Sequence, residues 1–230
     1  MATVSPYGNV KAQGNGSMLL LAGLVLLTAG VSIGAYVWKS ELPVRMADCE
    51  GNRIIATDAI LRLAAVPMDK RIVDIDLVAI RERVLKNPYF REVSVNRDLP
   101  NRILIRVDER VPVAAIIAGK TLYADSEGVM LTGVRSEYVF DLPVITGAQA
   151  VQECKPGRKI VHPTLREALQ IVMASQRLGN SVSRRISEIH LQTNGELLLY
   201  TAEYGVPVNF GRGNIVDKLT LLEGFWTGVV

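Results

Sequence analysis

The chain has 230 residues, of which 49% are hydrophobic and 21% are charged, and its formal net charge is +3. A chain of this length has room for one or two domains of ordinary size. Basic and acidic residues are interspersed, as in Arg81-Glu82-Arg83, and no basic stripe interrupts this mixture. The charge pattern therefore gives no reason to expect a nucleic-acid partner.

The N-terminal region contains an uncharged apolar run from Met18 to Trp38. A helix over this run rises about 1.5 Å per residue and reaches roughly 31 Å, which matches a hydrocarbon core of about 30 Å. A cleaved signal peptide is the alternative, but its apolar core is typically about 7–15 residues and ends at an Ala-x-Ala-like site, which is missing here. Tyr36 and Trp38 fall where aromatic rings favour the headgroup layer. We therefore predict a retained transmembrane helix over residues 18–38.

Gly30 and Gly34 form a GxxxG spacing inside this run. Such a spacing lets a second transmembrane helix approach closely, so the two glycines are candidate packing residues. Small residues are common in membrane helices for other reasons, and this alternative stays open.

The orientation of the helix is not decided by charge. Lys11 precedes the run, whereas Lys39, Arg45 and Arg53 follow it, so the count of basic residues does not favour an N-terminus inside. That count is weak where a long domain follows, because long domains translocate largely regardless of charge. We expect residues 1–17 to be a disordered cytoplasmic tail, since they have too little apolar surface to fold, and the rest to lie outside.

The pattern between residues 44 and 115 predicts the order β-α-α-β-β. Thr57 is expected to cap the first helix, and Asp76 the second. The apolar side chains of the first helix share one face and are Ile60, Leu61, Ala64 and Ala65. Those of the second recur at i, i+3 and i+7 and are Leu77, Ile80 and Val84. Asn87-Pro88 ends the second helix, because proline disfavours a helical residue before it.

Two strands with period-two alternation follow this helix. Val93 and Val95 define the inward face of the first, and Ile103, Ile105 and Val107 that of the second, with Leu104 assigned to the opposite face. Residues 98–101 between them carry turn chemistry, since Pro100 fixes φ and the Asp98 or Asn101 side chain bonds to nearby backbone. The two strands are therefore predicted to form a hairpin.

These residues carry a family resemblance. The segments Asn87-Pro88-Tyr89-Phe90, Leu99-Pro100-Asn101-Arg102 and Glu109-Arg110-Val111-Pro112-Val113-Ala114 resemble a POTRA domain. With one transmembrane helix before it, the chain most resembles the FtsQ/DivIB cell-division family. Leu122-Tyr123-Ala124-Asp125 and Leu142-Pro143-Val144-Ile145-Thr146-Gly147 are similar to the start of that family's second, β-rich domain. The resemblance implies an α+β fold with a POTRA domain over residues 44–115 and a mainly antiparallel β domain with helices over 116–230.

Residues 116–230 contain short strand candidates and two helices. The strands are expected near residues 121–124, 128–131, 186–191, 196–200 and 206–210. Asn194-Gly195 between two of them predicts a type I′ hairpin. Thr164-Leu165-Arg166-Glu167 predicts a capping box, and the apolar face of the helix that follows comprises Leu165, Ala168, Leu169, Val172 and Met173. A last helix is expected from near Asn214, with a buried stripe of Ile215, Leu219, Leu222 and Trp226.

Residue types that carry chemistry do not form a recognisable active site in this sequence. His162 and His190 are outside any metal-ligand spacing and are predicted to be structural. Cys49 and Cys154 lie far apart in the chain; an extracytoplasmic disulfide is possible, but we favour two unpaired thiols. We therefore predict neither a metal nor a cofactor, and no catalytic residue.

Two short polar motifs have a structural and a functional interpretation. Asp74 and Asp76 stand near a helix start, where capping and the helix dipole favour carboxylates, so a catalytic dyad is not required. Gly211-Arg212-Gly213-Asn214 is typical of a tight turn into the last helix, and anion binding at that helix N-terminus is the less favoured alternative.

The family resemblance implies a noncatalytic scaffold of the bacterial division machinery, with FtsB and FtsL as principal partners and no small-molecule substrate. Anchored by one helix in the cytoplasmic membrane, it would present its folded domains on the outer side at the division septum. A POTRA-bearing accessory protein of outer-membrane assembly or secretion is the alternative. A membrane-tethered hydrolase is a third hypothesis, which requires a nucleophile and a base in one cleft.

The resemblance also indicates where partners bind. The family's β domain continues past its last helix into a strand that pairs with FtsB, whereas this sequence stops at Gly228-Val229-Val230. We therefore expect an incomplete β domain. The candidate partner-binding residues adjoin the point where that strand would begin and are Phe225, Trp226, Val229 and Val230.

Overall fold

The computed structural model describes residues 16–40, 42–133, 140–148 and 155–229. The chain divides into two compact units. The smaller comprises the N-terminal part as far as Met46 together with Pro67–Ile75 and Arg97–Arg102. The larger comprises Ala47–Val66, Asp76–Asn96 and Ile103–Val230. Most of the predicted POTRA domain and the whole second domain therefore belong to one unit.

The N-terminal helix, α1, extends from Gly16 to Ser40, two residues beyond the predicted run at each end. Its part Leu19–Trp38 has a mean hydropathy of 2.1 and no buried side chain, so by length and composition it is able to cross a membrane. Around Gly30 and Gly34 no atom of the described chain lies within 4 Å of where a Cβ would stand. A packing role for these glycines stays a prediction.

The first domain has the predicted β-α-α-β-β order, with a short 3₁₀ helix between its two α-helices. Its elements are β1 (Met46–Glu50), α2 (Thr57–Ala64), the 3₁₀ helix Ile72–Asp74, α3 (Leu77–Leu85), β2 (Phe90–Asp98) and β3 (Arg102–Glu109). The described strands of this domain form one sheet in the order β1-β3-β2. The predicted helices bury Ile60 and Ala64 from α2 and Ile80 and Val84 from α3, as their spacing indicates. Ala65 was wrongly assigned to the buried face of α2, because the helix ends at Ala64 and Ala65 is its exposed, left-handed C-cap.

One of the two predicted caps in this domain is correct. The Asp76 carboxylate accepts a hydrogen bond from the Ala79 backbone N–H at 3.0 Å, as expected of an N-cap residue. Thr57, in contrast, is the first residue of α2, and the N-cap is Ala56, which makes no side-chain bond. The Thr57 hydroxyl instead accepts a hydrogen bond from the Asn52 side chain at 3.1 Å.

The inward face of β3 is as predicted, but its other face is less exposed than expected. Ile103 and Ile105 are fully buried, and Val107 is 7% exposed. Leu104, which was assigned to the opposite face, is also buried at 6% exposed. The reason is the position of β3 in the centre of the sheet, where side chains from β1 and β2 flank it on both faces.

Glu109, the last residue of β3, fixes the loop that precedes α2. Its carboxylate accepts three backbone N–H bonds, from Arg53 at 2.7 Å, Ile54 at 2.6 Å and Ile55 at 2.9 Å. Glu109 is only 9% exposed, so these bonds replace the water that a buried carboxylate loses. Loop 51–55 is therefore held by a side chain more than fifty residues away.

Arg110 follows directly and bonds in the other direction, to the turn at residues 125–129 of the second domain. Its guanidinium donates to Asp125 Oδ2 at 2.6 Å and to Glu127 Oε2 at 3.0 Å. The Arg110 backbone N–H donates to the Tyr89 carbonyl at 2.7 Å, and the Tyr89 hydroxyl donates to the Thr132 carbonyl at 2.9 Å. These bonds join the end of β3 to residues 125–132.

The described strands of the second domain form a seven-stranded sheet in the order β10-β9-β8-β7-β4-β5-β6. Its strands are β4 (Pro112–Ile117), β5 (Thr121–Asp125), β6 (Met130–Thr132), β7 (Val144–Thr146), β8 (Ile186–Leu191), β9 (Leu197–Thr201) and β10 (Pro207–Gly211). Pairing is mainly antiparallel, as predicted, but β7 runs parallel to both β4 and β8. Neither β4 nor β7 was among the predicted strands of this domain.

Three helices accompany this sheet: α4 (Pro163–Leu178), α5 (Asn180–Arg185) and α6 (Ile215–Val229). The predicted face of α4 is buried in one core with strand residues such as Ile145 and Ile189. The predicted stripe of α6 is confirmed, because Leu219 is fully buried and the other three residues pack against the same core.

Two local predictions in this domain are wrong. The N-cap of α4 is His162, whose Nδ1 accepts the Leu165 backbone N–H at 3.4 Å, while Thr164 lies inside the helix and is buried. Asn194-Gly195 does form a hairpin, but only Gly195 has a positive φ, of 83°. The bonds from Gly195 N to Gln192 O and from Gln192 N to Glu196 O close a three-residue loop rather than a type I′ turn.

We predict that Ile105→Ala lowers the free energy of unfolding by about 2–5 kcal/mol, because it leaves a cavity in the first core. Arg106, the next residue, pairs with Glu50 at the surface, and Arg106→Ala should cost no more than about 0.5 kcal/mol. Urea unfolding of both variants in the same detergent measures the difference. Equal losses would show that the strand faces are assigned wrongly.

Glu109→Gln should destabilise the protein by at least about 1.5 kcal/mol, because a neutral amide replaces the charged acceptor of three N–H bonds, two of them buried. Glu92→Gln, on the exposed face of β2, is the matched control and should change stability little. Hydrogen exchange at Arg53, Ile54 and Ile55 localises the effect. Unchanged protection at these three amides would contradict the role assigned to Glu109.

Candidate partner-binding surface

The two edges of the second sheet differ in how they are covered. Along β6, the Met130 N–H donates to the Arg158 carbonyl at 2.9 Å and the Gly157 N–H to the Met130 carbonyl at 2.7 Å. Val129 and Lys159 add an isolated bridge on the same side. At the other end of the sheet, β10 pairs with β9 and with no further strand of the described chain. Of these two edges, β10 is therefore the one whose backbone groups no described segment pairs with, so it offers them for strand addition.

The register of β10 shows which groups face outward. The Thr201 N–H donates to the Val206 carbonyl at 3.1 Å, and the Val206 N–H donates to the Thr201 hydroxyl at 2.9 Å, so the backbone groups of Val206 face β9. Pairs alternate in an antiparallel ladder, so Pro207 and Asn209 turn their backbone groups away from β9. Since proline has no backbone N–H, the outward backbone donor of this pair of residues is the N–H of Asn209.

Large apolar side chains surround this edge and are unusually exposed. They come from the β9–β10 turn and from α6, and are Tyr204 at 97%, Val206 at 50%, Leu221 at 74% and Phe225 at 61% exposed. Single exposed apolar residues are ordinary, but a group around one open strand edge is typical of an interaction surface. We call these four residues and strand β10 the edge surface.

Two cavities open on the edge surface and share Val208, Leu222 and Phe225 as lining residues. The first, of about 240 Å³, is also lined by Arg185, Glu203 and Trp226. The second, of about 340 Å³, extends along Asn209, Lys218 and Leu221. Each cavity thus combines apolar walls with a charged side chain at its rim, a composition suited to peptide side chains.

The helix α6 is fixed beneath this surface by bonds to the elements around it. Lys218 Nζ donates to the Phe210 carbonyl at 2.8 Å and to the Arg212 carbonyl at 2.7 Å. Ser181 Oγ donates to Glu223 Oε1 at 3.0 Å and joins α6 to α5. The position of Phe225 relative to β10 is therefore set by several bonds rather than by the helix alone.

The predicted partner-binding residues occupy different environments. Phe225 is exposed between the two cavities, whereas Trp226 is half-buried against the core with the Arg185 guanidinium 5.7 Å from its ring centroid. Val229 ends α6, and its side chain lies outside the described residues, as does all of Val230. Partner binding by these four residues stays a prediction.

Sequence reasoning missed most of the edge surface. The exposed residues Leu221 and Phe225 are four apart in α6, a spacing that places them on one face outside the buried stripe. Two exposed apolar residues at that spacing were the available signal. The unpaired β10 edge had no signal in the sequence, because strand order depends on pairing between distant segments.

The other candidate residues have structural partners. The Thr146 hydroxyl lies 2.5 Å from Glu188 Oε1 and 2.7 Å from His190 Nδ1. In a catalytic triad the carboxylate orients the histidine, whereas here it bonds to the hydroxyl. Across the described ranges, no group of three or more His, Cys, Asp or Glu residues is arranged to hold a metal ion.

The polar motifs near helix starts also have protein partners. Asp74 pairs with Arg71 at 2.8 Å on the surface, and Asp76 caps α3. At the turn into α6, the Gly213 N–H donates to the Glu167 carboxylate at 2.5 Å, so this donor is not available to an anion.

Cys49 is half-buried on β1, and Cys154 lies outside the described residues, so the predicted lack of a disulfide stays a prediction. Burial, together with the nearby carboxylates of Glu109 and Glu50, raises the pKa of the Cys49 thiol to about 11. The thiol is therefore protonated and weakly nucleophilic at neutral pH.

The fold defines the class of protein: one N-terminal apolar helix, a POTRA-like domain and a β-rich domain with helices. The family model for the FtsQ-type POTRA domain matches residues 43–110. The model described as cell division protein FtsQ/DivIB, C-terminal, matches residues 115–229. The chain belongs to the FtsQ/DivIB family of cell division proteins.

Curated relatives agree with this assignment. The cell division protein FtsQ of Geobacter sp. (strain M21) is 32% identical over 223 residues, which is 96% of this chain and 80% of the relative. FtsQ of Syntrophotalea carbinolica is 28% identical over 90% of this chain and 74% of the relative. The cell division protein DivIB of Clostridium acetobutylicum is 32% identical over 38% of this chain and 36% of the relative. Membership in this family and the apolar helix α1 are consistent with single-pass membrane anchoring.

The raised pKa of Cys49 gives a testable pH dependence. In a Cys154→Ser variant, alkylation of Cys49 by iodoacetamide should remain slow through neutral pH and reach half its maximal rate near pH 11, because only the thiolate reacts. Mass spectrometry of the alkylated protein over a pH series measures the rate. A half-maximal rate near pH 8.5, the value of an ordinary thiol, would contradict this environment.

Proposed function

We propose that this protein is a noncatalytic scaffold of the division machinery. It is anchored in the cytoplasmic membrane by α1, with its N-terminus in the cytoplasm and both domains outside. There it binds FtsB and FtsL at the division septum. The family assignment supports a role in cell division, and the edge surface supports binding rather than catalysis.

The observation that carries the proposal is the open edge of β10 beside exposed apolar side chains of α6. A partner strand added at this edge gains main-chain hydrogen bonds, and its alternate side chains have the two cavities as pockets. Phe225 stands between both cavities and is the expected anchor, since aromatic residues near the centre of an interface contribute most of its energy.

The membrane anchor contributes to binding in a different way. Partners held in the same membrane meet this protein at a high effective concentration, so a modest strand-addition interface suffices. Glu109 and Arg110, which we call the joint, bond to the loop before α2 and to the turn at residues 125–129, and so hold the second domain to the first.

The alternative of an accessory protein in outer-membrane assembly is less well supported. Residues 115–229 match the C-terminal model of the division family, and that match is to the domain carrying the edge surface. The hydrolase hypothesis is less well supported, because the Thr146 hydroxyl bonds directly to the Glu188 carboxylate, whereas in a triad the carboxylate bonds to the histidine.

Phe225→Ala should raise the Kd for an FtsB periplasmic segment by about 10- to 30-fold, the effect of losing an aromatic anchor. Because Phe225 is 61% exposed, the change should leave stability nearly unaffected. Val78→Ala, at a residue 63% exposed on α3, is the matched control and should leave the Kd unchanged. Titration by fluorescence anisotropy measures all three proteins, and equal Kd values for wild type and Phe225→Ala would contradict the proposed anchor.

Asn209→Pro tests strand addition itself, because it removes the outward backbone N–H of β10. Edge strands tolerate proline at a position whose N–H faces away from the sheet. We expect binding of the same segment to fall at least tenfold with little change in thermal unfolding. Asn209→Ala keeps the N–H and should bind like the wild type. Weak binding by both variants would assign the effect to the side chain instead of the strand edge.

Topology and location are tested in cells. Protease added to intact spheroplasts should remove the region after Trp38, and a fluorescent fusion to the N-terminus should concentrate at division sites. Protection of both domains until the cells are lysed would reverse the proposed orientation.

A further inference from the structure

Almost immediately after α1 ends at Ser40, the chain forms hydrogen bonds to the other two segments of the smaller unit, Pro67–Ile75 and Arg97–Arg102. The Leu42 carbonyl accepts a hydrogen bond from the Ile72 N–H at 3.1 Å. Val44 bonds to the segment Pro67–Ile75: its N–H donates to the Lys70 carbonyl at 2.9 Å, and its carbonyl accepts from the Asp69 N–H at 3.0 Å. Residues 42–46 therefore lie against segment Pro67–Ile75 of the same unit.

A second segment lies beside the same residues. The Arg45 N–H donates to the Asn101 carbonyl at 2.9 Å, and Asn101 belongs to the turn between β2 and β3. Arg97, at the start of segment Arg97–Arg102, donates to the carbonyls of Ile72 and Ile75 at 2.8 and 2.7 Å. The two segments and residues 42–46 are thus held together by backbone bonds and one arginine.

The short connection between α1 and Leu42 limits how far residues 42–46 and the two segments bonded to them can lie from the membrane. Trp38 ends the apolar span. From Trp38 the chain continues for two helical residues to Ser40 and then for two residues beyond the helix to Leu42. At about 1.5 Å per helical step and at most about 3.6 Å per extended step, Leu42 lies within about 10 Å of Trp38. The headgroup region on each side of a bilayer is roughly 5–8 Å thick, so residues bonded to 42–46 lie at or next to the headgroups.

The side chains exposed there are mixed apolar and basic. Outside α1, four exposed large apolar residues belong to the described part of this unit: Met46 at 51%, Met68 at 49%, Val73 at 42% and Leu99 at 38%. Met68, Val73 and Leu99 are each within two residues of a backbone group that bonds to residues 42–46. An apolar side chain at the headgroup boundary replaces water by lipid and is favoured there.

The charges of the same unit leave an excess of positive groups. Asp74 pairs with Arg71, and Asp98 pairs with Arg102. Arg45 and Lys70 are exposed and make no side-chain hydrogen bond or ion pair within the described part of the chain. Arg97 bonds only to backbone carbonyls of the described chain, and Asp69 is the remaining acidic side chain of these segments, so three basic groups outnumber one acidic group.

We propose that Arg45, Lys70, Met68, Val73 and Leu99 form a juxtamembrane surface that rests on the headgroup layer of the membrane in which α1 is anchored. The two basic side chains bind the phosphates of anionic lipids, while the three apolar side chains enter the headgroup boundary. The proximity imposed by the short connection and the composition of the surface point to the same occupant, a lipid surface. Contact there keeps the first residues of the folded region at the membrane.

The proposal rests on the membrane anchoring that is part of the proposed function, and it is independent of FtsB binding. The full-length protein carrying Cys49→Ser and Cys154→Ser is reconstituted into phosphatidylcholine vesicles with or without 30% phosphatidylglycerol, a lipid composition of roughly physiological charge. Flotation with the vesicles is the test of anchoring alone. Failure to float would refute the anchor, whereas floating protein allows the surface itself to be tested.

An environment-sensitive fluorophore is attached through Leu99→Cys or Val73→Cys, and through Val161→Cys as the control. Val161 is 55% exposed and lies just before α4. Headgroup-spin-labelled lipid should quench the labels at residues 73 and 99 at least twofold more than the label at residue 161. The difference should grow with phosphatidylglycerol.

Charge reversal separates lipid binding from mere proximity. Arg45→Glu with Lys70→Glu should reduce quenching at residue 99 to the control level, and circular dichroism should stay unchanged because neither side chain has a described partner. Equal quenching at residues 99 and 161 in the unreversed protein overturns the proposal. Quenching at residue 99 that is insensitive to the charge reversal overturns it as well.

Discussion

The fold of this protein depends on two adjacent charged residues at the end of β3, whose side chains bond in opposite directions. Glu109 accepts three N–H bonds from the loop before α2, and Arg110 donates to Asp125 and Glu127 at the turn between β5 and β6. Their spacing follows from the alternation of side chains along a strand, which sends neighbours to opposite sides. The same two residues open the Glu-Arg-x-Pro-Val-Ala segment that resembles the family, so the motif has a structural explanation.

The electrostatics of this joint favour its charged form. The Asp125 side chain is 1% exposed, and it is balanced by Arg110 at a side-chain exposure of 14%. Burial by itself would lower the pKa of Arg110, but its hydrogen bonds to Asp125 and Glu127 outweigh burial and raise it. The hydrogen bond from Arg110 likewise holds the pKa of Glu127 below its ordinary value. The buried Arg110–Asp125 pair therefore keeps one geometry, because separating the two side chains would leave an uncompensated buried charge.

The second sheet shows how a partner surface arises from an ordinary requirement of β-structure. A sheet has two edges, and each exposes backbone groups unless something covers it. Segment 157–160 covers β6, whereas no described segment pairs with the far side of β10. The helix α6 serves both the core and this edge, since Leu219 is buried and Phe225, six residues later, is exposed. Stability and binding therefore use different faces of one helix.

The sequence by itself determined the elements with strong periodicity. The apolar run became α1, and the face residues of α3, β3, α4 and α6 were assigned correctly, because one-dimensional spacing fixes which side chains share a face. Phe225 was named from resemblance, and the structure places it on an exposed face. Tertiary structure decided the rest. The Thr57 hydroxyl accepts a hydrogen bond from Asn52 and does not cap α2, and His162 caps α4 in place of Thr164. Leu104 is buried because β3 lies in the centre of its sheet. Tertiary structure also decided that β10 ends the sheet, since pairing between segments distant in sequence is set by the whole fold and leaves no local pattern.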